Sequence, residues 1–432
     1  MEESTAPNLP PPPAEPRPSA TGASAPTIGD EGLSPLLTPP PAAPAGIPTP
    51  PPIPVPPAAT VALAPNPFAA ADDGLTADAA TTSAAVGESP EAVGIGAQAP
   101  GVGAPAVLSA PATNDPSAFV APLAERIVRE VHKAIQGQEE IVEAAVIALL
   151  TGGHALFEGV PGTAKTLLVR TLAAACSADF KRIQFTPDLM PSDITGTTVF
   201  DMASNAFHMK RGPIFAEIVL ADEINRTPPK TQAALLEAME ERRVSVDGSP
   251  NPLPPVFTVF ATQNPVEYEG TYPLPEAQLD RFLVKVVVPY PTEDAEVKML
   301  TAWDRGFRAA DLQTAGVQSV ASVEELLRAR SLLPAVTVEP KILNYVIAIV
   351  RRTREHRQLT LGASPRAAVA LLQASKTLAL MRGRPFITPD DVKTMALPVL
   401  RHRVLLRPEA EIEGVGPDRV LTALLESVEV PR

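Results

Sequence analysis

The chain has 432 residues, a formal net charge of −13 and one cysteine, Cys176. That length leaves room for two or three domains, and a lone thiol excludes an intrachain disulfide framework. Met1-Glu2-Glu3 lacks the basic start of a secretory signal, and the longest apolar run, residues 141–150, is core-helix length rather than a membrane span. A cytoplasmic protein without membrane insertion is expected.

The acidity is uneven. Residues 1–116 hold 27 of the 52 prolines and eleven acidic residues against one basic residue, Arg17. The remaining body carries a net charge of about −3, so it has no electrostatic bias toward nucleic acid, which is not an expected partner. The first 116 residues contain one aromatic, Phe68. They cannot bury enough apolar surface to offset their ordering entropy, so a disordered Pro/Ala-rich tail is expected. Pro39-Pro40-Pro41 and Pro50-Pro51-Pro52 favour extended polyproline stretches, suited to a solvated spacer or to docking of proline-binding domains.

From residue 117 onward, β-rich runs alternate with helical segments. The first run, residues 154–158, leads into Gly159-Val160-Pro161-Gly162-Thr163-Ala164-Lys165-Thr166 and an amphipathic stretch from Leu167. Strand, glycine-bearing turn and helix in this order form a phosphate cradle, with backbone N–H groups aimed at the anion. Lys165 would neutralise β- and γ-oxygens, and the Thr166 hydroxyl would ligate Mg²⁺. The ligand is therefore a nucleoside triphosphate. The residue before the lysine is Ala164 where the strict pattern has glycine; alanine prefers negative φ, so the loop is expected to run without a left-handed step there. Cys176, on the helix that follows the cradle, reads as a small buried hydrophobe.

Further runs fall at 180–185, 217–222, 257–263 and 282–288, giving a parallel sheet with ligands at its carboxyl ends. Two hairpins interrupt the crossovers: Thr197–Phe200 with Ala206–Met209, and Val244-Ser245-Val246 followed by the turn pair Asp247-Gly248. Ile218-Val219-Leu220-Ala221-Asp222-Glu223 is an apolar strand ending in two acids. Asp222 would hold Mg²⁺, and Glu223 would orient and polarise an attacking water. Asn264, at the end of the next strand, suits contact with that water or with the γ-phosphate; the plain alternative is an Asn–Pro turn. Arg281 precedes the last strand and suits charge stabilisation on a transferring phosphoryl, often from a neighbouring subunit; the plain alternative is a salt bridge to Asp280 or Glu276. After Pro291 the strands stop, and helical periodicity covers 323–333, 339–357, 365–381 and 389–399. Ser364 and Pro365 open one of these helices, so Arg366 falls in its first turn. A cation there opposes the helix dipole by about 0.3–1 kcal/mol, which points to an anion partner.

The expected architecture is a tail over 1–116, an α/β nucleotide-binding core over 117–291 and an all-α domain over 292–432. The motifs together resemble an AAA+ ATPase: Gly159–Thr166 is similar to its Walker A, Ile218–Glu223 to Walker B, Asn264 to sensor 1, Arg281 to the arginine finger and Arg366 to sensor 2. Residues 185–196, 222–230 and 262–277 resemble the MoxR family in particular, which shares Ala164. The resemblance covers residues from about 125 to 432. It implies an AAA+ P-loop core with helix-2 and pre-sensor-1 hairpin inserts and an all-α lid, binding ATP and Mg²⁺ at the interfaces of a hexameric ring. It implies that Gly137-Gln138-Glu139 lies beside the adenine, with Gln138, Gly159, Pro161–Thr166 and Leu167 around the nucleotide. It also implies chaperone-like remodelling of a protein client, often with a von Willebrand factor A-domain partner, in metalloenzyme or complex maturation. A nucleic-acid motor and a metal-chelatase-like motor share the architecture; only Lys210-Arg211 and Arg242-Arg243 lend the inserts basic charge.

Overall fold

The computed structural model describes residues 115–265 and 270–431. The expected tail lies outside the described residues apart from 115 and 116, which lead into α1 (Ser117–Val131). A second helix, α2 (Glu139–Thr151), is apolar nearly all round and buried along most of its length, as a helix enclosed by others must be.

The nucleotide-type core then begins. β1 (Ala155–Gly159) feeds α3 (Lys165–Ala175), β2 (Phe180–Gln184) and the short α4 (Pro191–Thr195). A hairpin of β3 (Gly196–Asp201) and β4 (Ala206–Arg211) follows, then β5 (Ile218–Asp222) and α5 (Pro229–Glu241). The second hairpin, β6 (Arg243–Val246) and β7 (Ser249–Pro252), precedes β8 (Thr258–Gln263), α6 (Glu276–Leu279) and β9 (Val284–Val288). The five long-range strands form one parallel sheet in the order β2-β5-β8-β1-β9. Both hairpins occur where the sequence predicts them and pair only with themselves.

Strand periodicity divides the core between the sheet's two faces. Phe157, Leu220 and Phe260 join one buried cluster, while their neighbours Leu156, Val219, Ala221, Val259 and Ala261 join the other. The first cluster continues without a break into the helices after the sheet: α7 (Glu293–Asp304) is largely exposed, but α8 (Val323–Leu332) and α9 (Pro340–Glu355) both contribute buried residues. Beyond β10 (Leu359–Leu361) come α10 (Pro365–Met381), α11 (Pro389–Leu400), β11 (Leu405–Leu406), α12 (Pro408–Ile412) and α13 (Pro417–Ser427). Sequence signals start several of these helices. Ser322 and Thr388 each accept from the N–H three residues on, while Glu325 and Asp391 bond back to them.

The strands do not stop at Pro291: β10 and β11 pair antiparallel within the helical part. At three and two residues they are too short to show a period. Arg330 of α8 fastens this part to the sheet. Its guanidinium donates to Leu149 O (2.8 Å), Val256 O (3.3 Å) and Thr258 Oγ1 (2.9 Å), and burial pushes its pKa down to about 10. Cys176 is fully buried at the end of α3, with its thiol pushed up to about 12 by desolvation, so it is inert as expected.

Candidate functional site

The loop from Gly159 to Lys165 joins β1 to α3 at the carboxyl edge of the sheet. It begins under tight constraint: a Cβ on Gly159 would stand 2.4 Å from Val288 O of the neighbouring strand. Gly162 has φ +84 and open space where a Cβ would sit. Ala164 has φ 59 and ψ 18, a left-handed conformation. The expectation that alanine keeps this loop free of a left-handed step is therefore wrong. Alternating left- and right-handed residues turn successive N–H groups to one side and form an anion-binding concavity. That geometry overrides the intrinsic preference of alanine. No side chain caps α3, and no acid occupies its first turn, so its leading N–H groups and positive dipole end face the cleft.

Lys165 reaches back into the loop, donating to Gly159 O (2.8 Å) and Val160 O (2.6 Å). Burial lowers its pKa, and the carboxylates of Asp222 and Glu223 act against that shift. Thr166 Oγ1 lies 3.4 Å from Asp222 Oδ2, so hydroxyl and carboxylate face the same spot. A cleft of about 480 Å³ brings together Gly159, Pro161 to Leu167, Asp222, Glu223 and Asn264. The cradle, both acids and the amide named from sequence thus share one site.

The acids are held by residues the sequence did not single out. Thr262 Oγ1 donates to Asp222 Oδ1 (2.6 Å) and accepts from the Glu223 N–H (2.8 Å), fixing both acids through one hydroxyl. Arg182 pairs with Asp222 Oδ2 at 2.7 Å, and Gln184 Nε2 donates to Glu223 Oε2 at 2.8 Å. Arg226 Nε lies 3.1 Å from the same Glu223 oxygen. Glu223 itself sits at φ 59 and ψ 48, backbone strain of the kind that collects at functional positions. Register explains the cluster: Gln184 is opposite Asp222, and Thr262 follows the Ala261 that pairs with Ala221. The signal available in the sequence is the polar pair Arg182 and Gln184, two residues apart and so on one face of the strand.

Next to the cradle lies an apolar cavity of about 600 Å³, with Ile135, Leu167, Met299, Leu300, Trp303 and Phe307 on its walls. Gln138 also lines it and donates from Nε2 to Thr163 O at 3.4 Å. Gly137 fixes the approach. Its φ is +66, and a Cβ there would lie 2.5 Å from Ala295 Cβ. A mostly apolar slot with a few polar groups, Lys133, Gln136 and Gln138, at its wall suits a planar base. Sequence reasoning found Gln138 but missed the α7 residues.

Arg281 and Arg366 lie elsewhere. Neither lines the cleft. β1 and β9 run parallel, with Ala155 opposite Val284 and Gly159 opposite Val288. Arg281 precedes Val284, so it stands at the amino edge, whereas the cradle follows Gly159 at the carboxyl edge. Five strand residues at about 3.3 Å each put roughly 16 Å between those edges. The salt bridge of Arg281 is to neither Asp280 nor Glu276 but to Glu240 on α5, at 2.6 Å, and Arg366 reaches the same carboxylate at 3.1 Å.

The residues present fit a magnesium nucleotide: an uncapped helix start, a lysine, a hydroxyl facing a carboxylate, and an adjoining apolar slot that shares Gly162 to Ala164 and Leu167 with the cleft. Among the described residues no group of three or more His, Cys, Asp or Glu is placed to hold a metal ion. No helix among them is long and apolar enough to cross a membrane.

Comparison with known proteins agrees with this geometry. The profile of the ATPase family associated with various cellular activities (AAA) matches residues 154–284, and that of the AAA lid domain matches residues 351–424. YeaC of Bacillus subtilis, an uncharacterised protein, is 44% identical over 72% of this chain and 95% of its own length. Chaperone MoxR1 of Mycobacterium tuberculosis is 42% identical over 71% of this chain and 82% of its own. MoxR of Methylorubrum extorquens is 32% identical over 71% and 95%. A crystal structure of an ATPase candidate from Cytophaga hutchinsonii superposes with a TM-score of 0.68 at 39% identity, covering 73% of this chain and 97% of that one. With cradle, paired acids and lid assembled, and relatives of this identity matched over most of their length, the chain belongs to the MoxR family of AAA+ ATPases.

Proposed function

We propose that this protein is a Mg²⁺-dependent ATPase of the cytoplasm that works as a hexameric ring and uses hydrolysis to remodel a protein client. The observation that carries the reading is the shared cleft: cradle, Lys165, Asp222, Glu223 and Asn264 line one space at the carboxyl edge.

In this reading, backbone N–H groups from Gly162 to Thr166 and the Lys165 ammonium bind the phosphates. Thr166 and Asp222 hold Mg²⁺, which supplies charge neutralisation at the β- and γ-oxygens when bound. Gln138 and the α7 side chains seat the base. Glu223 orients and polarises the attacking water, Asn264 helps place it, and Thr262 holds Asp222 and the Glu223 backbone in register. Arg281 stabilises the transferring charge in the cleft of a neighbouring copy. Its position at the amino edge supports this assignment, because its own cradle is on the far side of the sheet.

A von Willebrand factor A-domain protein is the proposed partner, and maturation of a complex or insertion of a metal centre the proposed outcome. Family membership supports both. The nucleic-acid alternative gains nothing from the structure: Arg242 is spent on the carbonyls of Phe257 and Gly152.

The test separates holding from hydrolysing. Glu223→Gln should bind ATP normally while turnover falls by orders of magnitude, whereas Lys165→Ala should lose binding itself. Equal ATPase rates for wild type and Glu223→Gln would remove the assignment. The same trapped variant, crosslinked and read by mass spectrometry, tests partner and client.

A further inference from the structure

Arg281 and Arg366 are 85 positions apart in the sequence yet meet on one carboxylate. Arg281 Nη2 lies 2.6 Å from Glu240 Oε2, and Arg366 Nη2 lies 3.1 Å from Glu240 Oε1. Glu240 stands in the last turn of α5. Behind the two arginines, Asp280 ties their backbones together. It accepts from Arg403 Nε at 2.6 Å and from Ser364 Oγ at 2.9 Å, and Ser364 caps the helix that carries Arg366. The anchorage of both arginines is therefore fixed by Asp280, while the aim of both heads is set by Glu240.

Charge gives the arrangement its meaning. Two guanidiniums share one carboxylate, leaving an excess positive charge and several N–H donors. Without the carboxylate, two like charges would face each other at close range and splay apart. The salt bridge to Glu240 does not occupy all of Arg281: its Nε is buried without an acceptor among the described residues. All three side chains remain partly exposed, at 26%, 51% and 37% for Arg281, Arg366 and Glu240, so an incoming anion can reach the fork. Guanidiniums present N–H donors in a geometry that matches phosphate oxygens.

We propose that Glu240 is a positioning residue that holds Arg281 and Arg366 as one two-pronged receptor for the triphosphate bound in a neighbouring copy of this chain. The inference rests on the proposal that Arg281 acts in trans. Glu240 touches no reacting atom; it acts through the two arginines.

The test uses rings mixed from inactive full-length variants. Arg281→Ala supplies an intact cradle and Lys165→Ala supplies intact arginines, so their mixture recovers turnover if the arginine works in trans. Glu240→Gln is then added to one partner at a time. Placed in the Lys165→Ala chain, which donates the arginines, it should cut the recovered turnover by about tenfold or more, as loss of one charge-assisted hydrogen bond does. Placed in the Arg281→Ala chain, which donates the cradle, it should change the recovered turnover by less than about twofold. Binding of a fluorescent ATP analogue to Glu240→Gln alone should match wild type. Equal losses in both placements would show a merely structural role and overturn the proposal, as would no loss in either. Failure of the parent mixture in verified mixed rings overturns the trans reading, and this proposal with it. If Glu240→Gln does not fold, Glu240→Asp takes its place, with a smaller loss again confined to the arginine donor.

Discussion

The two edges of one sheet are built differently. The carboxyl edge is made of backbone: a loop bent left-handed at Gly162 and Ala164, an uncapped helix start, and Glu223 also at positive φ. The amino edge is made of side chains from remote parts of the chain, where Glu240, Arg281 and Arg366 meet and His154 and His402 are buried beside them. The first edge is a ready anion site; the second gathers three guanidiniums, of Arg281, Arg366 and Arg403, around two carboxylates, Glu240 and Asp280. A site divided this way is complete only where the amino edge of one copy meets the carboxyl edge of another, as proposed above.

The largest expected effect tests that division. Arg281→Ala should reduce kcat by roughly 10³–10⁵, the value of an arginine supplied to a transferring phosphoryl. Affinity for ATP should stay at the wild-type level, because Arg281 does not line its own cleft. Titration of a fluorescent nucleotide beside steady-state turnover reads both. A parallel loss of affinity would mean that the two edges meet within one chain, and the contrast between them would fail.

The contrast also explains what the sequence makes legible. The cradle is contiguous, so Gly159 to Leu167 could be named in full, and the strand-end acids announce themselves after an apolar run. Thr262 and Gln184 act through strand register, which becomes visible only once β2, β5 and β8 are ordered side by side. The meeting of residues 240, 281 and 366 depends on three separate elements, and no local pattern encodes it. The place of Arg366 in the first helical turn points to an anion, but nothing local in the sequence identifies Glu240 as the carboxylate it meets. The α7 residues around the base-sized slot were missed because Met299, Leu300 and Trp303, half-exposed, give no core stripe.

A smaller effect separates the edges by pH. His154 is buried at the start of β1. Its Nδ1 accepts from the Val259 N–H at 2.9 Å, and its Nε2 faces Met239 O at 3.4 Å. Burial, with Arg242 and Arg330 nearby, pushes its pKa down to about 3. His402, facing Phe282 O at 2.9 Å, is lowered in the same way by burial and by Arg403, Lys285 and Arg401. Both rings stay neutral in the fold, while an unfolded chain protonates them below about 6.5. Stability is therefore fully present above that pH and is lost as pH falls toward the folded value. From pH 7 to 5, His154 alone should contribute a loss of about 2 kcal/mol. Urea unfolding of wild type and His154→Asn at both pH values checks this, the variant showing a correspondingly flatter dependence. An equal slope in the variant would mean that acid sensitivity does not originate at this site on the amino edge.

The smallest effect concerns the carboxyl edge, and its sign is the informative part. At φ 59 Ala164 pays for a left-handed step that glycine takes freely, a difference of about 1–2 kcal/mol. Ala164→Gly also gives the unfolded chain more freedom, which offsets about 0.4–1 kcal/mol of that gain. The net expectation is stabilisation of up to about 1.5 kcal/mol, with ATP binding retained because the N–H groups keep their aim. At an ordinary negative φ the same substitution would destabilise by about 0.5–1 kcal/mol, since only the unfolded-state entropy would change. Thermal unfolding of the two proteins side by side therefore reads the loop's handedness directly. A higher melting temperature for Ala164→Gly supports a cradle shaped by two left-handed residues, and a lower one would return Ala164 to the conformation its residue type prefers.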